Sequence, residues 1–328
     1  MPVNPRIRQF RRPFPVAAMS ESSSPAVFLQ HTDYQKEHLE LAIARFAPHL
    51  GLDRSFHGRT VLLKPNLISA LASPLACTDT RILLAMARWF LDHGATVLVG
   101  DSPAFGSAAL VLRRLGVMPE LKKLAARVVE FSASQPLDVA GSRLSVARQA
   151  LECDLLVNLP KIKAHGQMYY TGAVKNFFGL VIGMKKSRLH MTHGKNHHEF
   201  STLLSHLPRL VARQITVADA VDVMHVSGPV RGARLTVGCL AAGLDPFAVD
   251  TALIAALELA PERCPLQSLA LATNQASSFP ENILYPCESP ENFYGSGFIA
   301  PSALAPVRFH SLRFVVSTAK RLALALRR

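Results

Sequence analysis

The stretch DLLVNLPKIKAHGQMYYTGAVKNFFGL, Asp154 to Leu180, opens with an apolar run, Leu155 to Leu159, that reads as a buried strand. It then places Lys161, Lys163, His165, Lys175 and Asn176 within a short length of chain. A strand interior followed at once by cationic or titratable side chains at alternating positions is the pattern of a parallel sheet ending in a ligand crevice. A solvated loop would account for the charges alone. It does not account for Pro160, Gly166, Gly172 and Gly179 interleaved with them, as a backbone held close to something requires.

On either side of this stretch, strand and helix signals alternate. AVFLQ, TVLLK, ATVLVG and VVEF read as strands before it, and ITVA and LTVGCLAAG after it. Between them, Asp33 can cap a helix carrying Leu39, Leu41, Ile43 and Phe46. Thr78 or Asp79 can cap a second, with Ile82, Leu83, Met86 and Phe90 on one face and Gly94 as its stop. Further helices are expected over Ala108 to Leu124, Glu199 to Arg213 and Pro246 to Leu259. Such βαβ alternation predicts an α/β fold: a mainly parallel, doubly wound, Rossmann-like sheet with helices on both faces, its strand order unread.

Polar residues follow the strand-like runs. Lys64 and Asn66 follow VLL, Asp101 and Ser102 follow VLVG, and Lys161, Lys163 and His165 follow LLVNLP; Asp219 follows ITVA. In a doubly wound sheet these ends face one crevice, so the groups can converge although distant in sequence. Capping alone accounts equally well for Asp101 and Asp219. Lysines with Asn176 and glycine-rich turns suit phosphate or carboxylate oxygens. Asp101, Asp219 and Asp250 are candidates to hold a divalent cation or to orient the lysines. Lys163, depressed by burial, or His165 can take a proton. The candidate catalytic residues are therefore Lys163, His165 and Asp101; the candidate ligand-binding residues are Lys64, Asn66, Ser102, Lys161, Lys175, Asn176, Asp219 and Asp250. No GxGxxG, GxxxxGK[ST] or GxSxG motif is present. In KKSRLHMTHGKNHH, Lys185 to His198, the spacing of His190 and His193 suits one shared metal, with His165 able to join them. The competing reading is a basic lid hinged at Gly183 and Gly194.

LLVNLPKIKAH, TGAVKNFFGLVIG, Lys186 and His190 resemble the signature of the DUF362 family, a group without an assigned function. The likeness continues in VLLKPNL at Val61 to Leu67, VLVGDSP at Val97 to Pro103, ITVADAVDVMHVSGPVRG at Ile215 to Gly232 and AAGLDPFAVDTALIAAL at Ala241 to Leu257. It covers roughly residues 26 to 260. The resemblance implies a setting near redox and iron–sulfur functions, and many relatives carry an appended ferredoxin-like cluster domain. This chain departs from that pattern: Cys77, Cys153, Cys239, Cys264 and Cys287 are scattered, with no CxxC pair, so no iron–sulfur cluster is expected from this chain alone.

The 328 residues, 49% of them hydrophobic, suffice for a large core. The net charge of +13 would suggest nucleic acid, but ten cations lie at the two ends: Arg6, Arg8, Arg11, Arg12, Arg308, Arg313, Lys320, Arg321, Arg327 and Arg328. The body is only mildly basic, so specific nucleic-acid binding is not expected. The division expected is a disordered or processed basic leader over 1–25, an α/β domain over 26–260, an irregular Pro- and Ser-rich flap over 261–300 and a basic amphipathic helix over 301–328. Arg11-Arg12 has the form of a twin-arginine signal, but PFPVAAM is too short and Pro-broken for its apolar core, and Met1 and Met19 both stand as starts. No apolar run nears about 18 residues. The expected location is cytoplasmic or peripheral at a membrane, with 308–328 meeting an anionic surface or a protein partner. Two functions compete: an enzyme acting on an anionic small molecule, or a non-catalytic accessory protein serving redox cofactor or iron–sulfur assembly.

Overall fold

The computed structural model describes residues 24–182, 189 and 196–307. In chain order the elements are β1 (Val27–His31), α1 (Lys36–Phe46), β2 (Thr60–Pro65), α2 (Thr80–Asp92), β3 (Thr96–Val99), α3 (Ala108–Arg114), α4 (Met118–Lys123) and β4 (Arg127–Val128). There follow β5 (Ser134–Val139), β6 (Ser142–Ala147), α5 (Arg148–Glu152), β7 (Leu155–Leu159), β8 (Lys161–His165), β9 (Tyr169–Thr171) and α6 (Ala173–Asn176). The described chain closes with α7 (His197–Ser205), β10 (Gln214–His225), β11 (Ala233–Gly243), α8 (Pro246–Ala256) and α9 (Pro265–Ala272).

The main sheet runs β1-β11-β10-β7-β2-β3-β4. From β4 to β10 the neighbours are parallel, whereas β11 and then β1 join antiparallel. The period-2 alternation of a strand divides its apolar residues between two cores. Val61, Leu63, Val97, Val99, Leu155 and Val157 face α1 to α4. Leu62, Leu98 and Leu156 face the other way, onto a core shared with α7, α9 and the β5–β6 hairpin. A third core forms between α8 and the β1, β10 and β11 strands. Helices therefore cover both faces, and the expected α/β class is found.

The sheet order also locates a topological switch point. From β2 the chain steps outward to β3 and β4, then returns to lay β7 and β10 on the opposite side. In open α/β sheets ligands bind in the crevice where the order reverses; in this sheet the reversal lies between the C-terminal ends of β2 and β7.

Several expectations change in detail. KIKAH, expected only to follow the Leu155–Leu159 strand at the crevice, is itself strand β8: its alternation turns Ile162 into the apolar core and leaves Lys161, Lys163 and His165 on the other face. ITVA is the start of a twelve-residue strand, because hairpin pairing with β11 carries it to His225. The helix expected to Arg213 stops at Ser205 and gives way to a short 3-10 turn beginning at Pro208, whose ring cannot continue an α-helix. Of VVEF only Val128 joins the expected strand, which begins at Arg127. The segment expected as an irregular flap contains α9, and Leu284 pairs with Ala26 beside β1.

Leu63 is fully buried in a central strand, while Leu41 on α1 is 54% exposed. Leu63→Ala should cost 2–5 kcal/mol in urea unfolding and Leu41→Ala less than about 0.5 kcal/mol. Equal effects would contradict the assignment of the two faces.

Candidate functional site

At the switch point, Lys64, the last residue but one of β2, stands directly opposite Asn158 of β7. Its Nζ lies 2.9 Å from Asp101 Oδ1, at the end of the adjacent β3 line, and 3.2 Å from Asn176 Oδ1. Asp101 Oδ2 accepts from Leu67 N at 2.9 Å, fastening the loop after β2. Asn176, on α6, donates to Asn158 Oδ1 at 2.8 Å and accepts from Asn66 Nδ2 at 2.8 Å. Asn158 in turn donates to Ala173 O and Thr216 Oγ1. Gly179 covers this group: a Cβ there would stand 2.1 Å from Asp101 Oδ1 and 2.5 Å from Lys64 Nζ, so only glycine permits the approach. Ser102 lies alongside, its N donating to Gly179 O.

A second group lies on the other face. Lys161 pairs in register with Asp219, which places the two side chains together, and their ion pair is 2.7 Å. Tyr34 OH donates to Asp219 Oδ1 at 2.9 Å and accepts from Lys161 Nζ at 3.0 Å. Asp219 Oδ2, the oxygen paired with Lys161, also accepts from Asp79 N at the start of α2.

Lys163 joins the two groups. It is 1% exposed, and its Nζ donates to Asn66 Oδ1 at 2.6 Å and to Ala76 O. Unlike Lys64 and Lys161, it has no carboxylate in ion-pair contact among the described residues, and the same holds for half-buried Lys175. Burial lowers the Lys163 pKa to about 7, with Lys175 and Lys161 pushing the same way and Cys77 and Asp101 opposing. Burial lowers Lys175 to about 8. Lys64 is also lowered by burial, against the opposing pull of Asp101. Thr171 stands opposite Lys163 in the β8–β9 pairing, and its buried hydroxyl has no hydrogen-bond partner among the described residues.

The structure therefore brings together Lys64, Asn66, Asp101, Lys161, Lys163, Asn176 and Asp219, with Lys175 near Lys163. His165 sits one alternation beyond Lys163, its Nδ1 accepting from Gln167 N at 3.1 Å. Asp250 is held elsewhere: from α8 it accepts from Ala173 N and Val174 N and from Tyr170 OH, and so positions α6. Its pKa is raised by burial to about 7. Asp101, Asp219 and Asp250, candidates for a shared cation, each take a different partner. Among the described residues no group of three or more His, Cys, Asp or Glu is placed to hold a metal. His190 and His193, and the hinges Gly183 and Gly194, lie outside the described residues. Tyr34, Asn158 and Thr171 went unread in the sequence. Asn158 had a signal, a lone amide inside an apolar strand; Tyr34 and Thr171 had none.

Fold and site together define a doubly wound α/β protein with a buried lysine, carboxylate and amide network at its switch point. The chain belongs to the family described as a domain of unknown function, DUF362, which matches residues 61–255. It is 32% identical over 268 residues to a thylakoid-associated protein of Synechocystis sp., covering 80% of this chain and 83% of that one. Among solved structures, a protein from Thermotoga maritima is similar at 13% identity and a TM-score of 0.42, over 75% of this chain and 60% of that chain. The lactate racemase apoprotein from Thermoanaerobacterium thermosaccharolyticum is similar at 15% identity and a TM-score of 0.39, over 58% and 50%. The chain thus spans less than two thirds of either solved chain.

Removing one member of a buried ion pair strands the other charge. Asp101→Ala should cost about 3–5 kcal/mol in chemical denaturation, and the double change Lys64→Met with Asp101→Leu should recover most of it. Additive losses would show that the pair is not coupled. The pH response has a definite sign. With a folded pKa near 7 against 10.5 unfolded, Lys163 makes the unfolded chain bind the extra proton between those values, so its contribution to stability rises with pH across that window. Lys163→Met should flatten the rise in Tm between pH 7 and pH 10; an unchanged slope would mean that Lys163 is not depressed.

Proposed function

We propose that the switch-point network binds an anionic small molecule bearing phosphate or carboxylate, and that the protein is an enzyme acting on it. The observation that supports this reading is the unbalanced charge: two of the four lysines have carboxylate partners, while Lys163 and Lys175 lie near each other with none among the described residues. An anion placed there would neutralise both lysines, and the orphaned Thr171 hydroxyl beside Lys163 offers a further donor. Lys64 and Lys161, each held by a carboxylate, set the geometry around it.

Lys163 is the proton-handling group in this proposal. Without ligand it is close to half protonated at neutral pH, as a general base requires. An arriving anion favours its charged form, so binding draws in a proton that can later be returned to the substrate. Group transfer and proton transfer both fit this arrangement. The rival accessory role draws its support from the thylakoid-associated relative, a name that also supports a peripheral membrane location. Among the described residues no helix is long and apolar enough to cross a membrane.

Wild-type protein and Lys163→Met should be compared in thermal melts at pH 7 against inorganic phosphate, nucleotides and small carboxylates. An anion at 100 times its dissociation constant should stabilise the wild type by about 2.7 kcal/mol, with the effect largely lost in the variant. The wild-type response should weaken between pH 7 and pH 9.5 as Lys163 and Lys175 lose their protons. Stabilisation of both proteins alike, or of neither, would place the ligand elsewhere and favour the accessory role.

A further inference from the structure

Lys163 and Asp250 are both buried, and among the described residues neither has an opposite charge in ion-pair contact. They stand at the two ends of one chain of hydrogen bonds. Lys163 Nζ donates to Asn66 Oδ1 at 2.6 Å, Asn66 Nδ2 to Asn176 Oδ1 at 2.8 Å, and Asn176 Nδ2 to Asn158 Oδ1 at 2.8 Å. Asn158 Nδ2 then donates to Ala173 O at 3.1 Å. That carbonyl shares its planar peptide group with Val174 N, which donates to Asp250 Oδ2 at 3.0 Å. Side-chain amides and one backbone amide thus link an ammonium to a carboxylate without a gap.

Every amide in the chain presents its oxygen towards the lysine and its N–H towards the aspartate, and this direction is forced. A lysine only donates, so Lys163 requires Asn66 Oδ1, and Lys64 Nζ, 3.2 Å from Asn176 Oδ1, fixes the turn of Asn176. A backbone carbonyl only accepts, so Ala173 O requires the amide nitrogen of Asn158. Aligned amides in a dry interior polarise one another. A positive charge at the oxygen end and a negative charge at the nitrogen end are both favoured by that alignment, so each end favours the other. Burial, the largest influence on both, brings Lys163 down to about 7 and Asp250 up to about 7. Lys163 also faces Cys77 of the β2–α2 connection, Lys175 of α6, Lys161 of its own strand and Asp101 beyond β3. Asp250 faces Tyr170 of β9, Asp245 ahead of α8 and Cys264 ahead of α9.

We propose that Asp250 is a positioning residue for Lys163: through the aligned amides of Asn158, Asn176 and Asn66 its carboxylate favours the protonated lysine, and so regulates the anion site. The regulation of anion binding rests on the function proposed above, whereas the coupling of the two charges is present without ligand. Coupling of this kind is reciprocal, so a charged Lys163 equally favours the ionised Asp250.

The titration of Lys163 can be followed by NMR in the full chain isotope-labelled at the lysine ε-carbons, its signal identified by its loss in Lys163→Met. Asp250→Asn should lower the Lys163 midpoint by about half a unit or more. Tyr170→Phe keeps the carboxylate and removes only the hydroxyl that donates to it, which raises the Asp250 pKa; it should lower the midpoint by less. Asn158→Leu breaks the chain with Asp250 in place. It should lower the midpoint as far as Asp250→Asn does, and the two changes together should lower it no further. A purely structural role predicts the opposite sign, because a displaced α6 would carry Lys175 away and relieve Lys163 of a like charge. A midpoint that rises in Asp250→Asn, or that stays in place in Asp250→Asn and Tyr170→Phe, therefore overturns the inference. So does a midpoint that Asn158→Leu leaves unmoved, since the amides would then carry nothing. Melts with inorganic phosphate at pH 7 separate this inference from the proposed function: the expected midpoints in a chain that phosphate does not stabilise uphold the coupling and overturn only the anion site.

Discussion

Burying lysine ammonium groups at the end of a parallel sheet is the constraint around which this molecule is arranged. Such a charge is tolerated inside a protein only when oxygen atoms replace its water. Lys64 obtains them from the strand on one side, through Asp101, and from α6, through Asn176. Lys161 obtains them from β10, through Asp219, and from Tyr34 ahead of α1. Each partner comes from a different element, so the ends of β2, β3, β7 and β10 must align for any of them to be satisfied. Apolar packing could accept some sliding between strands; a buried ion pair at 2.7 or 2.9 Å accepts little. The network therefore pins the register of the sheet as well as lining its crevice.

Among the described residues the same network is not charge-balanced, and the proposed anion site rests on that imbalance. Lys64 and Lys161 have found carboxylates. Among the described residues Lys163 donates only to neutral oxygens, with Lys175 adding to its discomfort. A purely structural arrangement would gain by replacing Lys163 with an apolar residue of similar volume. The proposed role of Lys163, meeting an anion or exchanging a proton, would account for a cation kept in a site that disfavours its charge. Asp250 shows how position decides role: from a neighbouring helix it fixes the N-terminus of α6, and so the placement of Lys175 and Asn176, without entering the crevice.

Parallel topology has a further consequence for the surface. Because the strands run the same way, whatever extends beyond their C-terminal ends shares one side of the molecule. The β10–β11 hairpin, the β8–β9 turn and the last described residues are gathered there by backbone hydrogen bonds. The lysine network and the β10–β11 turn thus share one end of the sheet as a geometric outcome of the fold.

What the sequence by itself determined is the class and the composition of the site. Apolar runs spaced by amphipathic stretches imply a doubly wound sheet, because burial on two faces demands continuous hydrophobic strands. Lys64, Asp101, Lys161, Lys163, Asn176 and Asp219 were legible as candidates because each follows or interrupts such a run. The tertiary structure decided which of them meet. Strand order is a matter of non-local pairing that no local pattern encodes, and it is this order that places Lys64 beside Asn158 and Lys161 beside Asp219. Nor could the residues show that Asp250 faces a helix terminus, that KIKAH alternates as a strand, or that Tyr34 reaches across to Asp219. In each case the deciding contact lies far away along the chain, and only the packed backbone brings the two ends of it together.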